Sequence, residues 1–346
     1  MNDDQQAAAA PKSEAMRTTL VDAFGPLLSD IHEVVVVGFG AHTNAGDSMI
    51  WLGQIRLLRT LGIKVRGVAQ VGKFDERMLR RLPSHVAVVL TGGGNFGDLW
   101  PHSQLYRERI IEAAAGRRVV QLPQSLCFRD ETNIHLARNV IAHHGDVLLT
   151  WRDGQSYESA LELFPETPSV LVPDVAFALG PMESADQPNF PLLCISRHDH
   201  EGGELCAVRL DHGVQVDWTS HGSFSTMLRR DPILAVLSLE RRSGLFLGNQ
   251  LRMAMYVAFA GITVQLAKSL VSNAEVVVSD RLHAHILCIL LEIPHVMVDT
   301  RYGKISSFID TWTADSNLVS VVSSPRDAID LARSIAVERS RARNAS

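Results

Sequence analysis

Cysteine is scarce in this chain. Its four cysteines, Cys127, Cys194, Cys206 and Cys288, lie far apart and no C-x-x-C occurs, so neither a structural zinc site nor a disulfide framework is supported. Reduced thiols fit a cytoplasmic setting. Neither sign of charge is in large excess: the net charge is −5, which gives no bulk attraction to nucleic acid but still allows a local basic pocket. The first residues are acidic and polar, unlike the basic start of a signal peptide. No apolar run reaches membrane-spanning length, and the best candidate, 286–298, is broken by Glu292 and Pro294. What remains is a globular composition, 46% hydrophobic and 21% charged, over 346 residues, enough for two ordinary domains.

Residues 1–13 read as an Ala-rich disordered tail, and a first helix is expected over 14–28. A strand–loop–helix rhythm follows. Four consecutive valines, 34–37, mark a strand buried on both faces. Further strands are expected at 65–68, 86–90, 119–122 and 147–149, with helices over 105–115 and 133–143 between some of them. A polar break with three prolines, 180–191, reads as a linker. The rhythm restarts with strands at 192–195, 214–216, 276–278 and 296–298 and a long helix over 249–270; an amphipathic helix over 325–341 closes the chain. This alternation predicts an α/β fold of two Rossmann-like domains, 14–185 and 186–324, facing a cleft, with 325–346 as a C-terminal helix and tail.

Four loops at predicted strand ends hold the polar chemistry. In G-F-G-A-H-T-N-A-G-D, 38–47, a dinucleotide fingerprint would need glycine where Thr43 stands. Asn44, Gly46 and Asp47 instead suit a tight turn at a helix cap, and both a structural cap and a ligand-facing turn remain open. In T-G-G-G-N-F-G-D-L-W-P-H, 91–102, Gly92, Gly93 and Gly94 let backbone approach a ligand closely, with Asn95 beside them. No G-K-[S/T] follows, so this is not a Walker loop. Asp98 and His102 sit four apart around Trp100 and Pro101. In T-W-R-D-G, 150–154, Arg152 suits two-pronged binding of carboxylate or phosphate; a salt bridge to Asp153 or another acid is the alternative.

The fourth segment, S-D-R-L-H-A-H, 279–285, follows an apolar run and opens an apolar helix. Unpaired N–H groups and the dipole make a helix start attractive to anions, and Arg281, Leu282 and His283 fall in that first turn. Leu282, Ile286, Ile289 and Ile293 form the buried stripe. His285 is the weaker of the two histidines, since it could simply bond a carbonyl inside the fold. Tyr302 and Lys304 offer a hydroxyl and a cation after the 296–298 strand, and Arg197 is a further anion-binding candidate. His143, His144, His198 and His200 lack a matching acidic cluster and read as surface residues, so no metal site is expected.

Taken together these segments resemble the polysaccharide pyruvyl transferase family. The matching pieces are N-A-G-D (44–47), G-G-G-N-F-G-D-L-W (92–100), W-R-D with the later P-D-V-A-F (173–177), S-D-R-L-H-A-H with L-E-I-P-H (291–295), and R-Y-G-K (301–304). The resemblance runs over about 34–308. One departure is Glu292, which stands where glycine is frequent in L-G-I-P, on the far side of the helix from the chemistry. The resemblance implies a GT-B-like fold with the acceptor on the N-terminal side and the donor on the C-terminal side. It implies phosphoenolpyruvate as donor and a pair of sugar hydroxyls as acceptor. The product is a pyruvate ketal on a cell-surface polysaccharide or its lipid-linked precursor, which leaves room for peripheral contact with the inner face of the membrane. It sets the donor against Arg281 and His283, with Arg152 and His102 as the best matches for a further arginine and histidine.

Such a donor carries a carboxylate and a phosphate, so its desolvation needs several charged or dipolar partners. Arg152, Arg281, the backbone of Gly92, Gly93 and Gly94 and the helix start are suited to this. His283 is the candidate general acid, and His102 or Asp98 the candidate base toward the acceptor. Asn44, Asp47, Asn95, Leu282, His285, Tyr302 and Lys304 complete the expected substrate-binding set, without cofactor or metal. The rival readings are a nucleotide-sugar glycosyltransferase of the same architecture and a non-catalytic sugar- or phosphate-binding module.

Overall fold

A computed structural model describes residues 10–40, 43–185, 187–198, 203–210, 213–217, 232–233, 235–236, 248–299 and 303–345. The fold is built on two parallel sheets. The first contains β1 (Glu33–Phe39), β2 (Lys64–Gln70), β3 (Ala87–Leu90), β4 (Gly93–Phe96), β5 (Val119–Leu126), β6 (Val147–Trp151) and β7 (Ser169–Leu171), in the order β2-β1-β3-β5-β6-β7 with β4 paired to β5. The second contains β8 (Phe190–Ser196), β9 (Val214–Asp217), β10 (Ala274–Ser279), β11 (His295–Val298) and β12 (Val319–Val322), in the order β12-β11-β10-β8-β9. The described pairings are parallel, as a chain of strand–helix crossovers requires.

The four valines show why the first sheet is sandwiched. Val34 and Val36 pack into an apolar cluster with Leu20, Phe24 and Trp51, while Val35 and Val37 point into another with Ile110, Ile141 and Trp151. Alternate side chains thus serve opposite faces, covered on one side by α1 (Lys12–Leu27) and α2 (Ala45–Thr60) and on the other by α4 (Pro101–Ala113) and α5 (Glu131–His144). Between them lie the short α3 (Arg77–Arg80) and, after β6, α6 (Gly154–Leu163). In the second sheet Leu193, Ile195 and Val277 face α8 (Leu282–Leu291), and Leu192, Cys194, Val276 and Val278 face α10 (Pro325–Ala345). Burying each such side chain is worth roughly 1.5–3 kcal/mol.

The apolar core does not stop between the sheets. Helix α7 (Asn249–Ser272) sends Tyr256 and Phe259 into the cluster of the first sheet, where the Tyr256 ring stacks on Phe39 at 4.2 Å. Met16, Ala45 and Met49 in turn join the cluster under α8. Helix α7 also differs from the sequence expectation. It is 24 residues long and apolar enough to cross a membrane by length and composition, but Tyr256, Phe259, Ala260, Val264, Ala267 and Val271 are buried in the protein. Its Thr, Gln and Lys residues kept it from reading as an apolar run.

Three further features were not expected. Gly93–Phe96 is a short strand rather than a loop. A methyl group at Gly92 would lie 2.7 Å from the carbonyl oxygen of Pro123, and one at Gly97 would lie 2.0 Å from that of Cys127. These two glycines therefore let β4 lie against β5. Glu292, the departure in L-E-I-P, ends α8 in the left-handed region with φ 56° and ψ 39°, the conformation that glycine adopts without a Cβ penalty. A last helix of the second half, α9 (Lys304–Trp312), also had no sequence forecast.

Candidate active site

A cavity of about 700 Å³ is lined by strand-end segments of both sheets, including Gly38, Asn44 and Gly92 from the first and Arg197, Asp280 and His283 from the second. Its position at the carboxyl ends of parallel strands is the expected one for a ligand site.

Arg152 follows β6 and is only 4% exposed. Its Nη1 donates to Asp174 Oδ2 at 2.8 Å and its Nε to Ser125 Oγ at 2.9 Å; Ser125 Oγ in turn donates to Asp153 Oδ2 at 2.6 Å. Asp153 also caps α6 by accepting from Ser156 N. Asp174 precedes a 3-10 turn, Val175–Leu179, and caps it through Ala176 N. The same carboxylate lies 3.6 Å from His283 Nε2, beyond hydrogen-bond length but within strong charge attraction. Burial alone would push the Asp174 carboxyl up; contact with His283 and its charge, the Arg152 guanidinium and the Ala176 N–H outweigh it and hold the group below the usual carboxylate range.

His283 sits in the first turn of α8, close against the start of α2. A methyl group at Gly46 would lie 2.7 Å from its Nδ1, so the glycine of N-A-G-D leaves room for the imidazole. Its Nε2 is buried with no hydrogen-bond partner among the described residues. Arg281, the residue before α8, is 7% exposed and donates from Nη2 to Asp217 Oδ1 at 3.1 Å. Lys304 Nζ reaches the Gly94 carbonyl oxygen at 3.5 Å. Asn44 caps α2 through Gly46 N and also donates to Asp47 Oδ2. Arg281, Leu282, His283, Arg152, Gly92, Gly93, Gly94, Asn95, Asn44, Asp47 and Lys304, all singled out from the sequence, line this one cavity, with Trp100 and Arg197. The Gly94 backbone approaches protein as well as cavity: a methyl group there would lie 2.8 Å from Arg152 Nη2.

Three expectations are corrected. Asp98 does not line the cavity as a base. Its oxygens accept from Arg129 N, Asp130 N and Asn133 Nδ2, clamping the loop before α5. Burial would raise its carboxyl, but these donors and the Arg129 charge hold it below its ordinary value, which makes it a poorer base. His102 is exposed on the first turn of α4 and is not among the residues lining the cavity, although Trp100 and Ser103 are. His285 is wholly buried in the core, with Nδ1 2.7 Å from His295 Nε2 and Nε2 3.1 Å from Thr313 Oγ1. The helix turn that points His283 at the cavity points His285 inward. Tyr302 and His200 lie outside the described residues.

Sequence reasoning missed three groups. Asp174 joins Arg152 to His283, and the signal for it was an acid at the head of P-D-V-A-F. Arg107 gave no signal, being an arginine in mid-helix. It is buried beneath the glycine-rich segment, bonded to the amide oxygens of Gln121, Gln104 and Asn95 and stacked over the Phe96 ring at 4.4 Å. Burial pushes its guanidinium down to about 9, so it remains a cation at neutral pH and adds positive potential to the cavity floor. Asp280 lines the cavity with Oδ1 accepting from Arg197 N at 2.9 Å and Oδ2 buried without a partner among the described residues; burial raises its carboxyl.

Comparison with known proteins agrees with this picture. Residues 44–302 match the family Polysaccharide pyruvyl transferase. The chain is 32% identical over 335 residues to Pyruvyl transferase 1 of Schizosaccharomyces pombe, covering 89% of this chain and 76% of that protein. It is 30% identical over 281 residues to Putative pyruvyl transferase EpsO of Bacillus subtilis, covering 81% and 85% respectively. In fold it is similar to an uncharacterised protein of Klebsiella pneumoniae, with a TM-score of 0.57 at 15% identity, covering 89% of this chain and 99% of that one.

Proposed function

Since the chain belongs to the polysaccharide pyruvyl transferase family, whose members are transferases that place pyruvate on polysaccharide, we propose that it takes pyruvate from phosphoenolpyruvate and builds a ketal across two hydroxyls of a glycan, on a cell-surface polysaccharide or its lipid-linked precursor. The observation that carries this reading is the junction of Arg152, Asp174 and His283, which joins a cation of the first sheet to a proton carrier of the second at a cavity also lined by Arg281. The two halves act as GT-B-like domains, with the donor held against α8 and the acceptor entering beside Trp100. The free thiols Cys127, Cys194, Cys206 and Cys288 suit a reducing compartment, so we assign the reaction to the cytoplasm.

In this mechanism Arg152, Arg281 and the glycine-rich backbone hold the carboxylate and phosphate of the donor. His283 transfers a proton to the methylene carbon, and the Asp174 carboxylate, 3.6 Å from Nε2, stabilises the imidazolium. The C2 carbon becomes oxocarbenium-like, and the oxygen of the first hydroxyl bonds to it. With Asp98 and His102 not among the lining residues, the hydroxyl proton passes to Asp280, a cavity-lining carboxylate that burial makes more basic. Phosphate then leaves with the C–O bonding pair and takes up the proton held by Asp280, and the second hydroxyl closes the ring as its proton returns to His283.

The test pairs binding with turnover. Phosphoenolpyruvate is expected to raise the melting temperature while UDP- and GDP-sugars do not, and phosphate release is expected only with an acceptor glycan. A shift with a nucleotide sugar alone would favour glycosyl transfer. Full turnover by His283→Ala would remove His283 from the acid role.

A further inference from the structure

Helix α9 lies between β11 and β12 of the second sheet in chain order, yet besides Lys304 three of its side chains bond to backbone of the first half. Gly154 N donates to Thr311 Oγ1 at 3.1 Å, and Gln155 N donates to Ser307 Oγ at 3.0 Å. Trp312 Nε1 donates to the carbonyl oxygen of Arg152 at 2.8 Å. Gly154 and Gln155 open α6, so their N–H groups have no partner inside that helix. The third, Ser156 N, is met by Asp153 of the first half itself. Thr311 donates its own proton to Ser307 O at 2.5 Å, which leaves its oxygen free to accept from Gly154. Gly154 permits the approach, since a methyl group there would lie 3.2 Å from Thr311 Oγ1.

The same short helix also touches the other two carriers of the site. The Phe308 ring stacks on Phe177 at 6.3 Å, in the turn that Asp174 caps. Phe308 meets the His285 ring edge-on at 5.9 Å, and Thr313, just after α9, reaches His285 Nε2. His285 stands two residues after His283 on α8. At the other end, Asp299 accepts from Ile305 N and Ser306 N and fixes where α9 begins. Helix α9 is thus in contact with the segments that carry Arg152, Asp174 and His283.

We propose that α9 is a clasp that holds Arg152 in register with His283, with Ser307, Thr311 and Trp312 as positioning residues for the donor. This rests on the reading of the cavity as a donor site. The clasp bonds are hydroxyl and indole contacts to backbone, each of modest net strength and easily replaced by water, so they set geometry rather than hold the fold together. Misplacing one charged partner of a multi-point anion site weakens binding of the whole ligand.

The experiment compares the full chain with the double variant Ser307→Ala/Thr311→Val, with Thr311→Ser, and with Trp312→Phe. The double variant is expected to raise the KM for phosphoenolpyruvate about 10-fold, the effect of two modest hydrogen bonds, while kcat at saturating donor stays within roughly 3-fold. Thr311→Ser keeps the hydroxyl and is expected to behave as wild type; Trp312→Phe is expected to follow the double variant. Amide hydrogen exchange at Gly154 and Gln155 is expected to accelerate in the double variant alone, whatever the donor is. If phosphoenolpyruvate proves not to be the donor, inorganic phosphate affinity by thermal shift serves for the same comparison. An unchanged KM or phosphate affinity with a lowered melting temperature would make α9 merely structural. Unchanged exchange at both amides would remove the clasp itself.

Discussion

Replacing Asp174 by asparagine separates what the carboxylate does for binding from what it does for chemistry. The side chain is wholly buried between Arg152, 4% exposed, and His283. Asparagine keeps one oxygen, enough for either Ala176 N or Arg152 but not both, and removes the negative charge. Removing one partner of a buried ion pair costs about 3–5 kcal/mol, and with one acceptor lost as well as the charge this case falls within that range. The Asp174 carboxyl is held below its ordinary value, so its stabilising effect is complete above the unfolded pKa and lost only as pH falls through the depressed folded one. The loss on substitution is therefore expected to be the same across the neutral range. The cations left behind have one fewer counter-charge, so an anion should bind at least as well as in wild type. Turnover should fall by roughly 100-fold or more, because His283 loses the group that orients it. Urea unfolding with and without phosphoenolpyruvate, followed by steady-state kinetics, reads all three. A variant as stable as wild type, or one that loses donor affinity but keeps kcat, would refute the reasoning.

Three further outcomes follow from particular residues. Burial lowers the imidazole of His295 to about 4, and burial with the neighbouring His295 holds that of His285 well below its ordinary value. Both are neutral in the fold, so stability is full above the unfolded pKa of about 6.5 and falls as pH drops toward 4, by about 1.4 kcal/mol per pH unit for each; chemical unfolding between pH ~6.5 and ~4.5 checks this, and a flat profile would contradict it. Glu292→Gly is expected to stabilise by roughly 1 kcal/mol, because it relieves a left-handed residue at the end of α8; a lower melting temperature would show that the glutamate side chain contributes more than its backbone costs. Arg281→Lys is expected to weaken donor binding about 10-fold despite keeping the charge, since lysine lacks the forked donors, and wild-type affinity would show that charge alone suffices.

Legibility in the sequence followed the physics of each segment. The valine run, the strand before S-D-R-L-H-A-H and the long helix near 249–272 announced themselves through apolar runs and periodicity. R-L-H was legible because a helix start concentrates donors, and Arg281 and His283 do line the cavity. Asp98 misled because an acid beside glycines and a tryptophan suggests a site, whereas loop amides at 129 and 130 had already claimed it. His102 was singled out by its spacing from Asp98 and by the family resemblance; it falls on the first turn of α4 with its side chain exposed. Asp174, Arg107 and the α9 contacts depend on pairings across 22, 14 and 160 positions of sequence or on burial, which no local pattern encodes.

The central claim is that pyruvate leaves phosphoenolpyruvate and closes a ketal on a glycan. NMR of a reaction containing donor labelled at C2, the enzyme and candidate synthetic or lipid-linked oligosaccharides tests it most directly. The label is expected to move into a ketal carbon bonded to two sugar oxygens, with one phosphate released per ketal and none from His283→Ala. Label that stays in phosphoenolpyruvate while the same glycans gain a sugar from a nucleotide donor would contradict the account.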